Sequence, residues 1–128
     1  MTPETLNDYC RKTLLNAEIK AQAAANTADR SANAKNAEVA VEAARHSADW
    51  ASQTAALANG MHQLIVRWHG GSEEYHFLKA VMKHAKQALG NAQSAMGFAL
   101  EKVQHELEEA ERVDGSAASP TEADPVEG

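Results

Sequence analysis

The chain has 128 residues, a single cysteine and a net charge of −6. One cysteine excludes an intrachain disulfide and favours a reducing compartment, and no apolar run approaches the roughly 18 residues of a membrane span. Residues 114–128 hold four acidic and no basic residues, so residues 1–113 are close to neutral. A nearly neutral domain disfavours nucleic-acid binding, which needs a basic surface. The N-terminus lacks the pattern of a signal peptide, so we expect a cytoplasmic protein.

The first predicted helix begins at Thr2-Pro3-Glu4, where a capping hydroxyl, a proline suited to the first turn and an acid favour a helix start. Seventeen alanines lie between Ala17 and Ala58, with no glycine or proline among them. Alanine is the best helix former and its small side chain lets a second helix come close. The apolar positions follow the heptad spacing of a coiled coil: Cys10, Leu14, Ala17, Ala21, Ala24 and Ala28.

This apolar row changes frame at residues 31–36 and resumes at Ala37. Since no glycine or proline interrupts it, the sequence favours one continuous helix over about residues 3–58, continuing to residue 68 with a kink at Gly60. A turn between two helices is the alternative, because Asn and Ser side chains compete for backbone hydrogen bonds.

A second breaker, His69-Gly70-Gly71-Ser72, predicts a turn over residues 69–72 and a new helix over about residues 73–112. This helix carries the clearest apolar row, and Val81, Ala88 and Ala95 widen it. The row consists of Tyr75, Leu78, Met82, Ala85, Leu89, Ala92, Met96, Ala99 and Val103.

These elements predict an all-α fold: a long, alanine-rich, coiled-coil-like antiparallel helical hairpin, or a three-helix bundle if the chain turns near residues 31–36. Residues 1–113 form the predicted helical domain, and the acidic, proline-containing residues 114–128 form a predicted disordered tail. In the hairpin, residues 3–27 extend beyond the second helix. The self-association candidates are therefore the large apolar residues of this segment: Leu6, Leu14, Leu15 and Ile19.

The predicted turn at residues 69–72 concentrates the chemically distinctive side chains. A large aromatic beside flexible glycines suits the anchor of a protein interface. The partner-binding candidates are Arg67, Trp68, His69 and Tyr75. A basic row on the following helix suits an acidic partner or a phosphorylated small molecule, with a solvated helix face as the simpler interpretation. It consists of His76, Lys79, Lys83 and Lys86.

The triplet Trp68-His69-Gly70, in the turn of a predicted helical hairpin and followed by Gly71, Ser72 and Tyr75, resembles the turn of the WXG100 family. The resemblance covers about residues 37–112. It implies an antiparallel hairpin that dimerises and leaves the cell by a specialised secretion system.

Signals for catalysis are poor. Cys10 lies in the apolar row, where a buried structural thiol is the default. No dense metal-ligand motif, nucleophile elbow or phosphate-binding loop is present, so we expect no enzyme, metal or cofactor. We expect a small accessory protein of bacterial or phage type, homo-oligomeric, that acts by binding itself or another protein. The alternatives are a WXG100-like exported hairpin and an oligomer that binds an anion or metal at the tip of the hairpin.

Overall fold

The computed structural model describes residues 2–69 and 71–118, and within them the chain forms three helices. Helix α1 spans Pro3–Ala32, α2 spans Ala37–Trp68 and α3 spans Ser72–Ala118. Each helix packs against both of the others, which makes an up-down-up three-helix bundle. The all-α prediction is confirmed, in its three-helix form. Within the described ranges, none of the helices combines the length and apolar character that a bilayer crossing requires.

The favoured continuous helix through residues 31–36 is wrong, because two asparagines end one helix and begin the next. The amide nitrogen and side-chain Nδ2 of Asn33 both donate to the carbonyl of Asp29, the latter over 2.9 Å. The side chain of Asn36 accepts a hydrogen bond from the amide of Val39, also over 2.9 Å. These bonds satisfy backbone groups that a helix end leaves free, so the chain turns without glycine or proline.

The second turn lies where the sequence predicts it. Helix α2 continues through Gly60 to Trp68, and His69 then adopts a left-handed conformation with φ of 49°. Its amide donates to the carbonyl of Ile65, which closes the end of the helix. The backbone of α3 extends to Ala118, beyond the predicted end near residue 112. Of the predicted disordered tail, residues 119–128 lie outside the described residues.

The core changes character along the bundle. At the end where α1 begins, bulky residues are buried: Leu6, Cys10, Met61, Ile65, Leu78 and Val81. The buried apolar residues of the middle and far parts are all alanine: Ala21, Ala24, Ala51, Ala88 and Ala92, followed by Ala28, Ala34, Ala40, Ala44, Ala95 and Ala99. Because methyl groups replace leucines there, the helix backbones can approach closely.

Two buried serines tie the alanine-lined helices together. The hydroxyl of Ser31 lies 2.9 Å from the carbonyl oxygen of Ala40 and 3.0 Å from that of Ala95. The hydroxyl of Ser47 donates to the carbonyl of Ala24 over 2.8 Å. A side-chain oxygen on one helix reaches the backbone of another only where the two helices are close.

The apolar row on α3 faces inward only in part, because its members Leu78, Ala92 and Ala99 are buried while others are exposed. Val81, Ala88 and Ala95 are fully buried, whereas Met82, Leu89 and Met96, one position further along each time, are exposed. The alanines of α1 and α2 leave no room between the helices for larger side chains. Met82, Leu89 and Met96 therefore lie on the surface of the bundle.

Candidate functional site

The partner-binding candidates of the turn cluster at the end of the bundle where α1 also begins. Trp68 and Tyr75 are both about half exposed, at 46% and 47%. A cavity of about 120 Å³ opens beside Trp68. It is lined by Thr2, Pro3, Leu6, Trp68, His69, Gly71 and Glu74. The structure thus adds the N-terminal turn of α1 to this tip and buries Glu74 there.

The basic row lies on the exposed surface of α3. His76, Lys79, Lys83 and Lys86 are all exposed. Sequence reasoning missed His84, whose Nε2 lies 3.8 Å from a carboxylate oxygen of Glu18 on α1. Among the described residues, no cluster of three or more histidine, cysteine or acidic side chains has the proximity that a metal ion needs.

The self-association candidates on α1 separate into two groups. Leu6 is buried and Leu14 packs against the same part of the core. Leu15 and Ile19 remain exposed, at 59% and 60%. Because α1 folds back on the other two helices, Leu6 and Leu14 are covered within a single chain.

An apolar groove lies between α2 and α3, and we call it the α2–α3 groove. It consists of two adjoining depressions of about 350 and 320 Å³ that share Ala48 and Met96. The α2 side is formed by Val41, Ala44, Arg45, Ala48, Ala51, Ser52 and Ala55. The α3 side is formed by Ala85, Lys86, Leu89, Ala92, Gln93, Met96, Ala99, Leu100 and Val103.

The groove follows from the packing of the core. Alanines such as Ala44 and Ala92 are buried and form its floor, while the side chains that stand above them on α3 are large and exposed. Leu89, Met96 and Leu100 are 54%, 51% and 65% exposed. With a rise of 1.5 Å per residue, the span from Ala85 to Val103 makes the groove about 28 Å long. This is the length of five helical turns.

The one cysteine has no features of a nucleophile. Cys10 is completely buried among the bulky core residues. Burial, and then the nearby negative charge of Glu74, raise the pKa of the Cys10 thiol. Since the thiolate is the reactive form, both effects keep this group inert.

No protein-family model, curated protein or solved structure matches the chain. The functional assignment therefore depends on the chain's own geometry.

Proposed function

We propose that the protein is a non-enzymatic interaction module that binds a helical protein surface in the α2–α3 groove. The observation that carries this proposal is the continuous apolar lining of the groove, with three large side chains more than half exposed on one helix. Scattered exposed apolar residues are ordinary in soluble proteins, but a contiguous patch marks a binding surface.

The shape of the groove favours a helix as the bound element. Two walls, about four turns long on α2 and five on α3, with a floor of small side chains, match the way in which an amphipathic helix lies in an apolar groove. The charged groove residues, Arg45 and Lys86, leave the centre apolar. This arrangement of apolar centre and polar edge is typical of protein interfaces.

Site-specific photocrosslinking in the producing cells tests the proposal even though the partner is not identified. A photoreactive benzoylphenylalanine replaces Leu89 in the groove, and in a control variant it replaces Asn16, which is also exposed but lies on α1. Light should produce discrete protein adducts from position 89 and not from position 16. Absence of adducts at position 89, or the same adducts from both positions, would refute the proposed function.

A further inference from the structure

The charges on α3 are arranged unevenly about the α2–α3 groove. The N-terminal part of α3 carries an exposed basic segment, formed by Lys79, Lys83 and Lys86. Beyond the groove, the exposed side chains include Glu108 and Glu111. An antiparallel copy of the same helix would place the basic segment of each copy beside the acidic segment of the other.

We propose that the occupant of the α2–α3 groove is the same face of a second copy, related by a two-fold axis near Met96 with the two α3 helices antiparallel. This inference names the partner of the interaction surface and rests on the proposed function. A two-fold axis makes the same patch serve both subunits, so the patch has to be complementary to itself. The groove meets that requirement in both shape and charge.

The shape requirement is met because the two depressions lie on opposite sides of Met96. A two-fold rotation at that point places each depression over the other. Leu89 of one copy then lies opposite Val103 and within one helical turn of Leu100 of the other, and this contact occurs twice. Both leucines are more than half exposed in the single chain, so their mutual burial removes apolar surface from water.

The charge requirement is met in the same register. With the axis at Met96, the position opposite Lys83 lies one residue from Glu108 of the other copy, and the position opposite Lys79 lies two residues from Glu111. A parallel arrangement would instead bring the acidic end of α3 against Glu38 of the other copy's α2. Exposed ion pairs add little affinity, but like charges disfavour the wrong arrangement, so the charges determine the orientation.

The size of the groove indicates a dimer of modest affinity. Two helices packed about 10 Å apart present a face about 20 Å wide, and a length of about 28 Å gives a footprint of roughly 560 Å² for each copy. The total of roughly 1,100 Å² lies just below the roughly 1,200 Å² at which stable, specific interfaces begin, and it is the size of a weak, transient interface. We therefore expect dissociation in the micromolar range.

Sedimentation velocity of the purified chain over a concentration series tests the stoichiometry. We expect a concentration-dependent dimer, which Leu89→Glu abolishes and the control Asn16→Glu on α1 leaves intact. Circular dichroism should show the same helix content in all three proteins, since both replaced side chains are exposed. A wild-type chain that stays monomeric up to about 500 μM, or equal loss of dimer in both variants, would overturn the inference.

Charge exchange and crosslinking test the orientation. Lys83→Glu should weaken dimerisation several-fold, and adding Glu108→Lys to the same chain should restore it. A mixture of Lys79→Cys and Glu111→Cys proteins should form the mixed disulfide, whereas neither variant should crosslink efficiently alone. No rescue by the second substitution, or no mixed disulfide, would exclude the antiparallel register. A monomeric chain that still forms adducts with another protein at position 89 would refute the dimer and leave the proposed function standing.

Discussion

Replacing one buried alanine of α3 by a larger side chain should destabilise the bundle, although the larger side chain is more apolar. Ala95→Leu adds three carbon atoms, whose burial would stabilise the fold by about 2 kcal/mol if there were room. There is none, because Ala95 is fully buried and its carbonyl lies 3.0 Å from the hydroxyl of Ser31. Overpacking costs about 1–3 kcal/mol, and separation of the helices also breaks the serine hydrogen bond, at about 1 kcal/mol. We expect a net loss of about 2–4 kcal/mol.

Urea denaturation followed by circular dichroism measures this loss directly, and it should be a large part of a total stability of about 5–15 kcal/mol. Ala110→Leu is the matched control, because Ala110 lies on the same helix but is exposed. It should change the stability by less than about 0.5 kcal/mol. If Ala95→Leu were as stable as the wild type, the helices would have space between them, and their close approach would be refuted.

Three further substitutions test other parts of the fold. Ser47→Ala should lower the free energy of unfolding by about 1 kcal/mol because it removes a hydrogen bond between helices. Ser52→Ala, at an exposed position, should have little effect in the same urea titration. Since burial raises the pKa of Cys10, the folded state holds the thiol proton more tightly than the unfolded state. The free energy of unfolding should therefore fall as the pH rises above the ordinary pKa of a cysteine. Cys10→Ala should reduce this dependence on pH. The same burial should prevent reaction with a thiol reagent until denaturant is added, and rapid labelling of the native protein would contradict it. A carboxylate oxygen of Glu106 accepts a 2.7 Å hydrogen bond from the amide of Ala37 at the start of α2. Glu106→Ala should therefore lower the free energy of unfolding, measured by thermal unfolding, by about 0.5–2 kcal/mol. A similar loss of stability in Glu106→Gln, which keeps an acceptor, would argue against this cap.

The sequence was sufficient to predict the helices but not where the first one ends. Composition and periodicity identified helical structure on both sides of residues 31–36, and the glycines at residues 70 and 71 identified the second turn. The first turn depends on hydrogen bonds made by the side chains of Asn33 and Asn36. Asparagine can make such bonds or point to solvent within a helix, so its presence alone does not decide the matter.

The groove could not be predicted, although most of its α3 residues belong to the apolar row that the sequence shows. On α3 two neighbouring rows carry apolar residues, one with Ala88 and Ala95 and the other with Leu89 and Met96. Side-chain size suggests that the leucine and methionine row is the core, and the structure buries the alanines instead. Which row is buried depends on how closely α1 and α2 approach α3. The periodicity of apolar residues within one helix carries no information about that distance.

The close packing of the core and the apolar surface of α3 have a common origin. With Leu89 and Met96 turned inward, the helices would be forced apart and the serine hydroxyls would lose their carbonyl partners at 2.8–3.0 Å. With the alanines inward, those hydrogen bonds form, but the larger side chains remain in contact with water. An alanine-lined core also buries little apolar area, so each chain gains limited stability from its own interior. In the proposed dimer, burial of the α2–α3 groove against a second copy would supply the apolar contact that the interior lacks. The proposed interaction surface lies beside the part of the core whose apolar residues are all alanine.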